Sequence, residues 1–297
     1  MQYRSLGKSS LEVSEVSFGC MSLEKDSAQN KALIQQAIDQ GVNLFDTADL
    51  YEKGENEARI GGLLKPWRSK VIIATKVGNQ WKEDGSGWNW NPSKAHILRS
   101  AEDSLRRLQT GYIDLYQLHG GTPEDNIDET IEAFELLQQQ GKIRYYGISS
   151  IRPNVIREYV QRSRIVSVMM QYSLLDRRPE EACLPLLQEN KIGVLARGSL
   201  AKGLLAGKPA DAWLDYTAQQ VQQAAQAVEQ ASQHRTAAQT AVQYTLAHAA
   251  VSSAVVGIRT QQQLQHVLAP AEAGVLTAAE LSTLQQAIPP NYYQQHR

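Results

Sequence analysis

The chain predicts an α/β fold, a (β/α)8 TIM barrel with a short N-terminal β-hairpin and an extra C-terminal helix. Three observations predict it. Eight short apolar runs alternate with helical periodicity, over the roughly 250 residues that such a barrel occupies. No Gly-x-Gly-x-x-Gly turn follows an early strand, as a doubly wound dinucleotide-binding sheet would require. Polar side chains able to do chemistry fall at the ends of consecutive apolar runs, where a parallel barrel gathers its active site.

Composition bounds the answer further. With 297 residues, 42% of them hydrophobic, the chain has material for one large core, and residues 1–297 read as a single barrel domain. The 30 basic and 31 acidic residues nearly cancel, which leaves no field to hold nucleic acid or an anionic membrane. No apolar stretch is long enough to span a bilayer, and the N-terminal residues lack the apolar centre of a signal peptide. The two cysteines, Cys20 and Cys183, make no metal or disulfide pattern, which suits a reducing compartment. These features predict a cytoplasmic protein with no metal. They leave the oligomeric state open.

Taken in order, residues 1–15 alternate weakly around Leu6-Gly7-Lys8 and predict a small hairpin. Residues 16–19 form the first barrel strand. Residues 30–40 form a helix, with Leu33, Ile34, Ala37 and Ile38 on one face and Gly41 as its stop. A strand at 42–46 and a helix at about 56–64 follow. The run 71–76 is the clearest buried strand, and a long loop with Trp81, Trp88 and Trp90 comes after it. Ser93 caps a helix reaching about residue 108. Strands are predicted at 113–118, 145–149, 166–170, 193–196 and 254–257. Helices are predicted at 127–140, 153–162, 180–189, 236–249, 261–268 and 278–287. The Gln- and Ala-rich stretch 207–235 reads as an exposed helix with little to specify its packing.

On this frame Asp46 ends the second strand, Tyr51 lies in the loop after it, Lys76 ends the third and His119 follows the fourth. Each alone has an ordinary explanation, such as a strand-end cap or a rim lysine. Four at adjacent strand ends fit proton transfer to a carbonyl oxygen. A tyrosine ordinarily titrates near pH 10 and is a weak acid at neutrality. A neighbouring Lys76 ammonium would favour its phenolate, Asp46 would hold Lys76 charged, and His119 would hydrogen-bond the substrate oxygen. None of the four supplies a hydride, so a cofactor must.

The sequence resembles the aldo-keto reductase family across essentially its full length. The matching stretches include Phe45-Asp46-Thr47-Ala48-Asp49-Leu50-Tyr51, Ala74-Thr75-Lys76, Tyr112-Ile113-Asp114-Leu115-Tyr116-Gln117-Leu118-His119, Gln171-Tyr172-Ser173-Leu174-Leu175 and Lys202-Gly203-Leu204-Leu205. The resemblance implies that Asp46, Tyr51, Lys76 and His119 are a catalytic tetrad. It also implies that NADPH lies across the barrel mouth without a Rossmann fold. Gly19-Cys20-Met21 resembles the loop beside the nicotinamide, and Ser149 matches the family's carboxamide serine.

Several positions depart from the family pattern. Ser150 replaces its usual Asn, and Met169 stands at its carboxamide Gln, with Gln171 on the same strand face as a partial substitute. Arg197-Gly198-Ser199-Leu200 replaces Tyr-Ser-Pro-Leu, so Arg197 takes the place of the aromatic that stacks on the nicotinamide. Lys202 is carried over with its loop. Gly257-Ile258-Arg259-Thr260 leads into a helix, and the resemblance assigns the NADPH 2′-phosphate to Arg259 and the ribose or adenine to Gln263. Val267 stands where the family has Asn.

The expected substrate is a small aldehyde or ketone, with the three tryptophans either rimming its pocket or packing on one another. The competing reading is a regulatory or redox-sensing subunit that binds cofactor with little turnover, as in the related potassium-channel β subunits. A phosphate-binding isomerase would need a carboxylate base and no Tyr–Lys pair.

Overall fold

The computed structural model describes residues 1–25, 28–268 and 274–297. Its strands are β1 (Tyr3–Ser5), β2 (Glu12–Ser14), β3 (Val16–Gly19), β4 (Leu44–Asp46), β5 (Ile72–Val77), β6 (Asn79–Trp81), β7 (Trp88–Trp90), β8 (Ile113–Leu118), β9 (Ile143–Ser149), β10 (Ser167–Gln171), β11 (Gly193–Arg197) and β12 (Val251–Gly257). The helices are α1 (Gln29–Asp39), α2 (Glu55–Leu64), α3 (Lys94–Leu108), α4 (Ile127–Gln139), α5 (Pro153–Arg162), α6 (Cys183–Glu189), α7 (Ala218–Gln230), α8 (Ala237–Leu246), α9 (Gln261–Val267) and α10 (Ala278–Ala287). The eight strands β3, β4, β5, β8, β9, β10, β11 and β12 pair in parallel and close on themselves. This is the predicted (β/α)8 barrel, with β1–β2 as the hairpin and α10 as the added helix.

Alternation along each strand sorts the core into two shells. Leu44, Ile72, Ala74, Leu115, Met169, Leu195 and Val255 form the inner cluster, joined from below by Leu6, Leu11 and Val13 of the hairpin. The second cluster packs between barrel and helices, with Phe45, Ile73, Tyr116, Leu118 and Val194 facing outward. The hairpin thus closes the N-terminal end of the barrel. Leu6 is fully buried there, so truncating it to alanine costs about 2–5 kcal/mol. Gly7 makes the plug possible, since at φ +59° a Cβ would lie 2.2 Å from the Val166 carbonyl oxygen.

Two expectations change. The stretch after β5 is not a plain loop: β6 and β7 pair antiparallel, with Asn79 opposite Trp90 and Trp81 opposite Trp88. The Gln-rich stretch carries more specification than its composition shows. Thr217 and Gln220 form a reciprocal capping box that starts α7. The helix then buries Val221, Ala224, Ala227 and Val228 and packs on α10. Small alanines at three- and four-residue spacing let it lie close to its neighbour, while the glutamines face outward. Smaller differences are at element ends: α6 begins at Cys183, after a 3-10 turn at Arg178–Glu180, and β12 begins at Val251.

Candidate active site

The inward positions at the C-terminal ends of β4, β5 and β8 bring the four predicted residues together. Lys76 Nζ lies 2.7 Å from Asp46 Oδ2, donates to the Thr47 carbonyl at 2.8 Å, and reaches the Tyr51 hydroxyl at 3.5 Å. The His119 ring stands edge-on to Tyr51, with centroids 6.0 Å apart and an interplanar angle of 84°. Lys76 is 1% exposed and Asp46 4%, so neither charge has water to support it. Burial alone would lower the Lys76 pKa, but the Asp46 carboxylate and the Tyr51 oxygen outweigh it and leave the ammonium favoured. Burial drives the Asp46 pKa up, and Lys76, Arg197 and the Gln117 amide oppose it. Burial also pushes His119 down to about 3, helped by the positive charges of Lys76 and Arg197. Its imidazole is neutral at physiological pH.

Tyr51 opens a tight turn. Glu52, Lys53 and Gly54 follow it at φ 52°, 55° and 90°, three left-handed residues in succession. The two non-glycines cost about 1 kcal/mol each, so neighbours must hold them. Arg59 pairs with Glu52 at 2.6 Å, and the Lys53 ammonium sits 5.1 Å from the centre of the Trp81 ring. Thr47 Oγ1 donates to Asn56 Oδ1 at 2.7 Å, while Asn56 Nδ2 donates to the Cys20 carbonyl at 3.0 Å.

The remaining strand ends ring the same face. Gly19 and Gly257 are paired across β3 and β12, and a Cβ on Gly257 would meet Ser22 Oγ at 2.2 Å. The Cys20 side chain is fully buried in the outer core, with its Sγ 3.6 Å from the Phe18 carbonyl oxygen. Met21 beside it is 64% exposed. Ser149 is half-buried at the end of β9, opposite Met169. Met169 packs inside the barrel, and Gln171 is two residues further along the same face.

Gln171 is not free: Arg197 donates to its Oε1 at 3.0 Å, and its Nε2 donates to Asp176 Oδ2 at 2.7 Å. Asp176 is in turn clamped by Arg178 at 2.7 Å to each oxygen. Arg197 is thereby held at its exposed position by a four-residue relay. Gly198 at φ +78° passes over Gln171, the Ser199 hydroxyl is buried without a hydrogen-bond partner, Leu200 is half-buried, and Lys202 lies over the Trp213 ring at 5.4 Å.

Across the barrel mouth, Arg259 is exposed ahead of α9. With Thr260, Gln261 and Gln262 it lines a cavity of about 430 Å³ completed by Gln29, Ala32 and Leu33 of α1. The Gln263 side-chain oxygen accepts from the Arg259 amide at 2.8 Å, which leaves its NH2 group as the donor it can offer.

A model of the aldo/keto reductase family matches residues 15–289. The chain belongs to this family. The aldo-keto reductase chain is 49% identical over 306 residues to the uncharacterized oxidoreductase YqkF of Bacillus subtilis (strain 168), covering 100% of each. Among solved structures it is similar to the holo form of aldo-keto reductase AKR11C1 from Bacillus halodurans. There the TM-score is 0.92 at 48% identity, covering 100% of this chain and 99% of the other. It also resembles the glycerol dehydrogenase AKR11B4 from Gluconobacter oxydans, with a TM-score of 0.84 at 25% identity over 98% and 99% of the two chains. The aldo-keto reductase is therefore an oxidoreductase, of a family that usually works with a nicotinamide cofactor.

Sequence reasoning missed the supports behind the four residues. Glu57 is fully buried, accepts from Thr75 Oγ1 at 2.6 Å, and takes the Arg107 guanidinium at 2.7 Å. One carboxylate thus ties the residue before Lys76 to α2 and α3. Glu57 stands in the first turn of a helix, where acids are common on the surface, so nothing local marked it as buried. The 171–176–178–197 relay was equally hidden, because its members come from three separate segments.

Proposed function

We propose that this aldo-keto reductase is an NADPH-dependent reductase of aldehydes and ketones, with Tyr51 as the proton donor. The observation that carries the reading is the buried Asp46–Lys76 pair with Lys76 Nζ 3.5 Å from the Tyr51 hydroxyl. A permanent ammonium there stabilises negative charge on the tyrosine oxygen as its proton leaves. His119, neutral and edge-on to Tyr51, can donate a hydrogen bond to a substrate oxygen without bringing a second positive charge.

The residues present fit a dinucleotide. The 430 Å³ cavity is of the size that small-molecule sites have, and Arg259 on its rim offers a planar, permanently charged fork for a phosphate. Ser199, with a buried hydroxyl lacking a partner, and Lys202 would meet the middle of the cofactor. Gly19, Met21, the Cys20 backbone, Ser149, Gln171, Arg197, Gly198, Leu200 and Gly257 would frame its nicotinamide end, with Gln263 near the ribose or adenine. When bound, NADPH supplies the hydride from C4 of its nicotinamide. The protein supplies the proton at the Tyr51 oxygen, keeps Lys76 charged, and orients the carbonyl between Tyr51 and His119.

Met21, in the turn after β3, and Trp88, in the hairpin after β5, are exposed apolar side chains on connections that follow C-terminal strand ends, which favours an apolar carbonyl substrate. The test is NADPH binding by fluorescence, followed by NADPH consumption across a panel of aldehydes and ketones. Binding with turnover supports the reductase. Tight binding without turnover on any carbonyl refutes it in favour of a cofactor-sensing role.

A further inference from the structure

We propose that Trp90 is a positioning residue for this site, its indole edge acting as the spacer between the strand ends that carry Lys76 and His119. Gly78 lies two residues past Lys76, and Gly120 directly follows His119. A Cβ on Gly78 would stand 2.7 Å from Trp90 Cζ3, and one on Gly120 3.1 Å from that same atom and 3.2 Å from Cη2. One ring edge therefore touches both backbones. Their φ values, +125° and +143°, are open to glycine and strained for other residues, so neither segment limits its own conformation. The ring limits it for them.

Trp90 is itself anchored. Its Nε1 donates to Asp125 Oδ1 at 2.8 Å, and Asp125 is fixed by the Thr122 amide and hydroxyl at 2.7 and 2.9 Å. Its strand partner Asn79 donates through Nδ2 to the His119 carbonyl at 3.1 Å. The His119 amide donates to the Val77 carbonyl at 2.7 Å, and the Asn91 amide donates to the Gly78 carbonyl at 2.7 Å. The end of β5 thus holds the His119 N–H and the base of the β6–β7 hairpin holds its C=O, with the indole filling the gap. Nothing places Trp90 against a reacting atom; it acts through His119. The groups facing that imidazole are Tyr51, Lys76 and Arg197.

The turnover arm of the test rests on the reductase reading, and an NMR arm stands without it. Trp90→Ala, Trp90→Phe and Asp125→Ala are made in the wild-type and His119→Gln backgrounds. NADPH oxidation, NADPH affinity and the ring-nitrogen titration of His119 are then measured. A misplacement on the order of 1 Å can cost about 100-fold in rate, so Trp90→Ala should lower kcat by about 10- to 100-fold with NADPH affinity unchanged. Trp90→Phe, which keeps a ring against the glycines, should recover most of that loss.

In the His119→Gln background Trp90→Ala should add no further loss, because the residue it positions is already gone. The His119 titration, held near pH 3 in the wild type, should move up toward 6.5 in Trp90→Ala. Equal rate losses in both backgrounds, or a His119 titration that does not move, overturn the proposal. If Trp90→Ala does not fold, Asp125→Ala frees the indole while keeping it, and should shift the same titration. A wild type that reduces no carbonyl refutes the reductase reading, and the titration alone then decides the positioning role.

Discussion

Replacing Lys76 with methionine tests how much of the site is built on one buried charge pair. Lys76 is 1% exposed and the Asp46 side chain 6%, and the two meet at 2.7 Å. Methionine fills much the same volume but strands the Asp46 carboxylate and leaves the Thr47 carbonyl without its donor. Removing one partner of a buried pair costs about 3–5 kcal/mol, against a total stability on the order of 5–15 kcal/mol. The variant should therefore fold but melt in markedly less urea.

The sign of its pH dependence follows from Asp46. Without the ammonium, burial keeps the folded-state carboxyl pKa above its unfolded value of about 3.9. The folded state then binds a proton that the unfolded chain releases, so Lys76→Met regains stability as pH falls from 7 toward 4. Below its folded pKa the gain is up to about 1.4 kcal/mol per pH unit. Asp46→Asn combined with Lys76→Met should be more stable at pH 7 than Lys76→Met alone, because no lone charge remains buried. Urea titrations of the three proteins at pH 7 and pH 5 read all of this. A loss under about 1 kcal/mol, or a single variant no less stable than the double, refutes the claim that the pair is dry and mutually dependent.

Two further outcomes are expected. Arg259→Ala should weaken NADPH by about 10- to 100-fold, the equivalent of one charge-assisted hydrogen bond, while leaving NADH little changed; equilibrium titration with both cofactors measures it. His119 should make the protein lose stability on acidification. Its folded pKa near 3 is below the unfolded value of about 6.5, so its contribution is complete above 6.5 and fades as pH falls toward 3. Urea midpoints at pH 7 and 4.5 should converge in His119→Gln, and an unchanged slope would show that the imidazole is not held neutral.

The barrel and its four central residues were legible because they rest on local signals. Apolar runs bounded by Gly and polar residues marked the strands, and in a parallel barrel each strand end faces one mouth, so Asp46, Lys76 and His119 had to approach one another. What stayed hidden depends on contacts between distant segments. Glu57 reads as a surface acid until Arg107 and Thr75 close over it. Arg197 reads as a lone departure from its family until Gln171, Asp176 and Arg178 are seen to brace it. The β6–β7 hairpin reads as a loop in the sequence because its strands are three residues each, too short for a period-two pattern to stand out. The Gln-rich α7 concealed its buried face because alanine contributes little to an apolar pattern.

The most direct measurement is single-turnover NADPH oxidation, with an aldehyde that the wild type reduces, by wild type and Tyr51→Phe. The Phe ring keeps the packing against His119 and deletes only the hydroxyl 3.5 Å from Lys76. The account predicts NADPH binding unchanged and a rate lower by about 100- to 10,000-fold, the range expected for loss of a positioned proton donor. A Tyr51→Phe protein that oxidises NADPH at the wild-type rate would contradict it, and the proton would then have to come from another group on the barrel mouth.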